Sequence, residues 1–427
     1  MLYAFVKIMM QIAVNLFYKR IFSTGVENIP EKDAAIIIAN HPSSLMDAAI
    51  IGIYTKRPIY FFARGDIFIN RPVHFILKQL HMIPVYHHQQ GRDTANHNDE
   101  SFERAKQILE NKGLIVFFPE GSSHTDRKLN PFKKGVFRMA FQTLSAPGFN
   151  GKLWIVPAGV NYSHPTASQS IVMINISEPI LLNQFLPSYQ TNPTATYRSC
   201  AQYFHSILLK QVLHIEDDRL QPLADRLLEM NRNNMAHQKY DADIFTAEKK
   251  CCDQINNLPE NTAKAFEIRT AEYFSLLQAE NIPDKIVSTK LSRPGWKKLL
   301  MLIVCPLFVP GYILNMPPIL FAKKIVDERV YRKDFYSWIY VVSSALLYIT
   351  WICLFGIIIL FLAGWQLMLV ALMFIIVTGV ITHHILLWAK DLKDEHNYRK
   401  FRSKNSSGVK NLKLNRMTVI ESARMIM

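Results

Sequence analysis

In the stretch Asn40-His-Pro-Ser-Ser-Leu-Met-Asp47 an imidazole and a carboxylate lie close enough along the chain to meet across one turn. These are the groups a base needs if it is to take a proton from an alcohol. A neutral imidazole titrates near ~6.5, and a carboxylate on its other nitrogen fixes the tautomer and stabilises the imidazolium that forms. Ala34 to Ala39 reads as a short buried strand, and Pro42, Ser43 and Ser44 supply turn and cap residues for a helix carrying Asp47. Read alone, the pair is also what a loop histidine beside a helix-start charge would look like.

Further clusters follow the same strand-then-turn pattern. Gly65-Asp-Ile-Phe-Ile-Asn-Arg71 comes after an expected strand at Ile59 to Ala63. Its glycine permits close backbone approach, and Arg71, with Arg64 as a second candidate, offers a planar guanidinium suited to phosphate; a solvated loop arginine is the alternative. Phe117-Phe-Pro-Glu-Gly121 ends a strand at Leu114 to Phe118 and runs on into Ser122, Ser123, His124 and Arg127. Glu120, pinned between Pro119 and Gly121, is placed to bind a substrate hydroxyl or to orient basic residues, unless it is a turn glutamate. Lys133-Lys134-Gly135 opens a helix, where basic side chains oppose the helix dipole and so point to a bound anion. Ile155-Val-Pro-Ala-Gly-Val-Asn-Tyr162 reads as an apolar strand ending at Pro157 and Gly159.

The ordered set, His41 with Asp47, then Gly65-x-x-Phe68-Ile69-x-Arg71, Phe118-Pro-Glu-Gly121 and Val156-Pro157, resembles the motifs of the glycerolipid acyltransferases, the glycerol-3-phosphate and 1-acylglycerol-3-phosphate acyltransferases among them. The resemblance implies an α/β acyltransferase domain, a mixed sheet flanked by helices, over about the first 200 residues. It implies transfer of a fatty acyl group from acyl-CoA or acyl carrier protein to a phosphorylated glycerol, with neither metal nor cofactor. His41 would be the base and Asp47 its orienting partner. Gly65, Phe68, Ile69, Arg71, Glu120, Gly121 and Ser122 would bind and position the acceptor, while Val156 and Pro157 would shape the acyl-side pocket. Many members carry Thr-Arg-Ser after Phe-Pro-Glu-Gly, whereas this chain has Ser122-Ser-His124. That variant, followed by a basic helix start, resembles the fungal type of glycerol-3-phosphate acyltransferase, with Arg127, Lys133 and Lys134 as candidates to replace the missing charge.

Short apolar runs alternate with helical patterns from Ala34 to Pro179, as an α/β sheet requires. Strands are expected at Ala34 to Ala39, Ile59 to Ala63, Leu114 to Phe118, Trp154 to Pro157 and Ile171 to Ile176. Helices are expected at Leu45 to Tyr54, Pro72 to Leu80, Glu100 to Asn111 and Lys134 to Leu144, and polar Gln89 to Glu100 as a surface loop. Residues 1–20 read as an amphipathic helix on a membrane, or equally a docking helix of the folded domain, and have no small-residue cleavage site. The acyltransferase domain is expected over 21–215, a helical extension over 216–296, and an apolar stretch broken by Pro306, Pro310, Pro317 and Pro318 within 297–334. The last is expected to be re-entrant or interfacial, with a third span as the alternative. Residues 335–389 hold two transmembrane helices turning at Gly364, and 390–427 a basic cytoplasmic tail.

Lys323, Lys324, Arg329, Arg332 and Lys333 precede the hairpin, and Lys390, Lys393, Arg399, Lys400, Arg402 and Lys404 follow it, so both outer flanks and the catalytic domain are expected on the cytoplasmic face. His383 and His384 lie near the basic end of the second leg. Across 427 residues, a hydrophobic content of 49% with a formal charge of +15 fits a membrane surface as partner. No zinc spacing, aromatic RNA-binding signature or arginine-rich arm supports nucleic acid. The five cysteines have neither a Cys-x-x-Cys pair nor even spacing and read as thiols. A non-catalytic lipid- or partner-binding module is the competing class, and a serine hydrolase lacks its Gly-x-Ser-x-Gly elbow.

Overall fold

The computed structural model describes residues 1–86, 94–234, 242–288 and 295–426. The chain forms two compact units, Met1–His214 with Arg332–Trp338, and Ile215–Tyr331 with Ile339–Met427.

The first unit runs α1 (Leu2–Phe17), β1 (Arg20–Thr24), β2 (Ala34–Ala39), α2 (Leu45–Tyr54), β3 (Ile59–Arg64), α3 (Arg71–Gln79), β4 (Met82–Val85), α4 (Thr94–Glu110), β5 (Leu114–Phe117), α5 (Gly135–Leu144), β6 (Leu153–Tyr162), β7 (Ile171–Ile176), β8 (Ile180–Leu181), α6 (Leu186–Thr191) and α7 (Pro193–Leu209). The sheet order is β1-β7-β6-β2-β5-β3-β4, with β8 on β6. Strands β2 to β6 all run the same way, and β7 and β8 lie antiparallel to β6, giving a mixed sheet.

Central β2 is buried on both faces, which is why it reads Ala-Ala-Ile-Ile-Ile-Ala rather than alternating. Ala34, Ile36 and Ile38 pack with Val136, Phe137 and Phe141 of α5 and Phe204 of α7. Ala35, Ile37 and Ala39 point to the opposite face by the period of the strand. The connection leaving β2 runs towards β3, and the one leaving its neighbour β5 runs the other way, to β6. Right-handed crossovers carry such connections to opposite faces and leave a crevice at the carboxyl ends of the two strands.

Several elements differ from the sequence expectation. Strands β1, β4 and β8 are additional; the longest of them, β1, has five residues, too few for a period to stand out beside the helical pattern of α1. The expected loop at Gln89 to Glu100 is helical from Thr94, its earlier part lying outside the described residues. There the helix is polar all round, so no apolar stripe announces it. Strand β6 passes through Pro157 to Tyr162, because the antiparallel partner β7 continues the ladder from Ala158 onward.

The second unit holds α8 (Gln221–Asn234), α9 (Ala242–Asn256), α10 (Glu260–Ala279), α11 (Asp284–Ser288), α12 (Gly295–Arg329), most of α13 (Lys333–Lys404) and α14 (Ser406–Ile426). Leu302–Arg329 and α13 are long and apolar enough to cross a membrane. Helix α13 is reversed at Gly364, whose φ of 82° only glycine adopts without strain. A side chain built on Gly356 would touch Leu372 at 3.5 Å, although a straight helix would hold the pair about 24 Å apart. The two legs therefore fold into a hairpin. Midway along it, the Tyr348 hydroxyl donates to Asn315 Oδ1 of α12 at 2.5 Å, and Trp351 Nε1 donates to Leu314 O at 2.8 Å.

Beyond the hairpin, residues 390–427 are not a loose tail. Arg416 of α14 donates to both carboxylate oxygens of Asp284 at 2.7 and 2.9 Å and to Asn234 Oδ1 at 2.7 Å, and Tyr273 adds a bond to Asp284 at 2.6 Å. Lys285 meets Asp391 at 3.3 Å, and Asn397 Nδ2 donates to Asn281 O at 3.1 Å. The surface-like basic composition of the segment conceals one buried arginine.

Candidate active site

His41 follows β2 and Glu120 follows β5, so the crevice at the carboxyl ends of these adjacent strands brings the first and third clusters together. The turn carrying His41 is anchored by Asn40, whose side chain donates to Val160 O at 2.9 Å and accepts from Val160 N at 2.7 Å. His41 Nδ1 lies 2.9 Å from Asp47 Oδ2, and its ring stacks on Phe118 with centroids 3.8 Å apart. Asp47 is wholly buried in the first turn of α2. Three donors hold it: the imidazole, Ser43 N at 2.8 Å, and the Tyr162 hydroxyl at 2.7 Å to Oδ1. Burial pushes the Asp47 carboxyl above the usual carboxylate range, and these donors pull it back. Burial and the neighbouring Asp47 raise the Tyr162 phenol well above its ordinary value, so Tyr162 acts as a donor. With Nδ1–H committed to Asp47, Nε2 is the nitrogen available to take a proton.

Glu120 knits the turns rather than facing outward. Its side chain is buried; Oε1 accepts from His41 N at 3.2 Å, and Oε2 from His124 Nε2 at 2.7 Å and Asn130 N at 2.9 Å. His124 N also donates to His41 O at 3.1 Å, and the Glu120 partnership raises the His124 imidazole above its ordinary value. Gly121 has φ of 75°, and a Cβ on it would come within 2.6 Å of Lys133 Nζ, so the ammonium lies over this turn. Lys133 N donates to Pro119 O at 2.8 Å. Lys134 caps α5 without a side-chain bond and leaves the amides of that helix start unpaired by a cap. Ser122 is exposed.

The remaining expected residues lie in different settings. Arg71 is the exposed first residue of α3, after an Asn70 cap that accepts from Val73 N at 3.0 Å. Arg64 is paired with Asp66, Nε to Oδ1 at 3.1 Å, and points its charge there. The close approach at Gly65 is made by Tyr86, whose ring would lie 2.2 Å from a Cβ. Phe68 is edge-on to His74 at 5.3 Å, and Ile69 is 73% exposed. Val156 and Pro157 are buried in mid-β6 opposite Ile37 and Ile38, inside the sheet core. Arg127 donates to Tyr162 O at 3.0 Å and Ser163 O at 2.8 Å, fixing the strand end that carries Tyr162. The sequence reading passed over Tyr162, Phe118 and Asn40 as site residues. Position at a strand's carboxyl end was the signal all three carried.

With this geometry in view, residues 20–161 match the family model described as Acyltransferase. Those residues are an acyltransferase-family domain. Two of the similar proteins are the 1-acyl-sn-glycerol-3-phosphate acyltransferase LPAT1 of Arabidopsis thaliana, 27% identical over 41% of this chain and 47% of that one, and the glycerol-3-phosphate O-acyltransferase 1 of Saccharomyces cerevisiae, 23% identical over 53% and 31%. The chain thus spans about half or less of the length of these relatives. The crystal structure of the acyltransferase PlsC from Thermotoga maritima aligns with a TM-score of 0.34 at 19% identity, covering 48% of this chain and 79% of that one. The acyltransferase-family match covers the motifs built around His41, Asp47 and Glu120.

Proposed function

We propose that this protein is a membrane-bound glycerolipid O-acyltransferase that moves a fatty acyl group from acyl-CoA, or acyl carrier protein, to a hydroxyl of glycerol 3-phosphate. The observation that carries the reading is the 2.9 Å contact of His41 Nδ1 with fully buried Asp47, which leaves Nε2 for the acceptor. The acceptor hydroxyl bonds to Nε2 and loses its proton as its oxygen attacks the thioester carbonyl. A carbon–oxygen bond forms, the carbon–sulfur bond breaks, and the imidazolium returns the proton to the leaving thiolate. Lys133 and the amides at the start of α5 receive the acceptor phosphate, with Arg71 as a further cation. The favoured acceptor rests on the Ser122-Ser-His124 variant; 1-acylglycerol 3-phosphate is the second reading, since a relative with that printed substrate is also similar.

The helices support a cytoplasmic placement. Residues before α12 meet residues beyond the apolar hairpin, Asp284 with Arg416 of α14 and Lys285 with Asp391 near the end of α13, so the chain between them crosses an even number of times. The α13 hairpin supplies two crossings. An even count leaves α12, a single helix that carries four prolines and meets the hairpin at Asn315, without a complete crossing of its own. Within the first unit, Asp334 and Ser337 of the basic segment Arg332–Trp338 bond to Ser123 Oγ and Pro165 O. Positive residues in that segment mark the cytoplasmic side.

The test uses the full chain in lipid nanodiscs with acyl-CoA or acyl carrier protein as donor, and glycerol 3-phosphate, lysophosphatidate or neutral lysolipids as acceptor. His41→Ala abolishes transfer at unchanged thermal stability. Retained turnover removes His41 as the base, and lipid binding without transfer in the parent protein favours a binding module.

A further inference from the structure

In the first unit, every exposed large hydrophobic side chain among the described residues except Tyr203 lies either in α1 and its preceding Met1 or between Ile69 and Ile76. The second group is short and concentrated: Ile69 is 73%, Phe75 62% and Ile76 47% exposed. On α3 these positions sort by angle around the axis. Val73, Leu77 and the following Leu80 share the partly covered side, Pro72, Phe75 and Ile76 share an exposed one with the polar Gln79 among them, and Arg71 and Lys78 stand together on the flank beside Phe75. A nine-residue helix that buries none of its residues fully and shows solvent an apolar strip edged by cations is not made for water.

The two apolar strips are neighbours. His81, just past α3, stacks between Tyr3 of α1 at 4.5 Å and Tyr60 of β3 at 4.2 Å, and the Tyr3 hydroxyl accepts from Ile59 N at 3.2 Å. The start of α1, with Leu2, Phe5 and Ile8 exposed, therefore adjoins the end of α3.

We propose that α3 is a membrane-docking helix, seating Ile69, Phe75 and Ile76 in the acyl region of a bilayer and Lys78 at anionic lipid head groups. The occupant is lipid because cations flank the apolar strip, as a head-group layer requires, and because the same chain carries helices long and apolar enough to cross a bilayer. Docking puts the Gly65 to Arg71 turn at the head-group level, where an acyl donor's chain and a phosphorylated acceptor meet. This inference needs only that the protein is membrane-bound, and it stands whichever acceptor is used.

The experiment places the photo-crosslinker p-benzoylphenylalanine at Phe75 in the full chain, reconstituted in phosphatidylcholine nanodiscs with and without phosphatidylglycerol, and identifies adducts by mass. Positions Leu362, on the hairpin, and Glu103, on α4, serve as lipid-facing and water-facing controls, and positions Ile69 and Ile76 replace Phe75 if that variant loses its fold. Lipid adducts at 75 that rise with phosphatidylglycerol are expected, and Lys78→Gln lowers the yield about fivefold, the factor one surface charge is worth against an anionic membrane. Adducts at 362 with none at 69, 75 or 76 overturn the proposal, as do adducts at these positions to protein instead of lipid. Activity on glycerol 3-phosphate is assayed in parallel, so loss of the catalytic reading and loss of docking are told apart.

Discussion

Replacing Tyr162 with Phe removes one of the three donors on Asp47 while keeping the ring in place against Tyr18, whose centroid lies 5.8 Å away. A hydrogen bond to a charged group in such a setting contributes about 1.5–3 kcal/mol. At roughly 1.36 kcal/mol per pKa unit, its loss lifts the Asp47 carboxyl by about one to two units. That carboxyl already sits above its ordinary value because it is buried, so the added rise carries it towards the working pH. Protonated Asp47 no longer orients the His41 Nδ1–H or stabilises the imidazolium. The acid limb of the kcat/KM profile therefore moves to higher pH by about one to two units, and the variant recovers towards parental activity on the alkaline side. The assay is acyl transfer to glycerol 3-phosphate across pH in nanodiscs, with thermal unfolding as a control. A uniform loss at every pH, or an unmoved acid limb, refutes the reasoning and leaves Tyr162 a packing residue.

Other predictions follow from the same contacts. His124→Asn removes a partnership that raises the imidazole above 6.5, so its stabilisation is complete below that value and fades as pH rises through the folded pKa; the variant's deficit in Tm is larger at acid than at alkaline pH, and an equal deficit refutes the pairing. Arg416→Ala strands buried Asp284 and costs about 3–5 kcal/mol in the second unit, read by denaturant unfolding in detergent. Gly159→Ala drives a methyl group to 2.0 Å from Gln211 O, a backbone atom, and yields a protein that fails to reach a monodisperse fold; a native-like Tm contradicts this.

Much of the catalytic domain was legible because its strongest signals are local. The burial of β2 on both faces dictates an unbroken apolar run, and turn residues at each strand end dictate where chemistry-bearing side chains are presented. Helix α13 was equally plain, since a hairpin of that apolarity turning at Gly364 needs no tertiary context to be recognised. Short edge strands β1, β4 and β8 were not, because too few residues establish a period. The polar start of α4 was missed for the opposite reason, a helix lacking an apolar stripe.

At the site, residue types settled which groups could act, and only the fold settled what each touches. Nothing in the spacing of His41 and Asp47 says that Tyr162, 115 residues on, holds the carboxylate's other oxygen. Nor does Phe-Pro-Glu-Gly reveal that Glu120 gives its oxygens to His41 N, His124 and Asn130 N. Arg127, Arg64 and Arg416 look alike as charges, yet one holds backbone carbonyls, one pairs with Asp66 and one locks α14 onto Asp284. Sequence determined the acyltransferase motifs, the strand-and-turn frame and the apolar hairpin, because each depends on neighbours along the chain. The tertiary structure decided which polar groups are spent on one another and which remain for a substrate, because the carboxyl ends of β2, β5 and β6 meet only when the sheet is assembled.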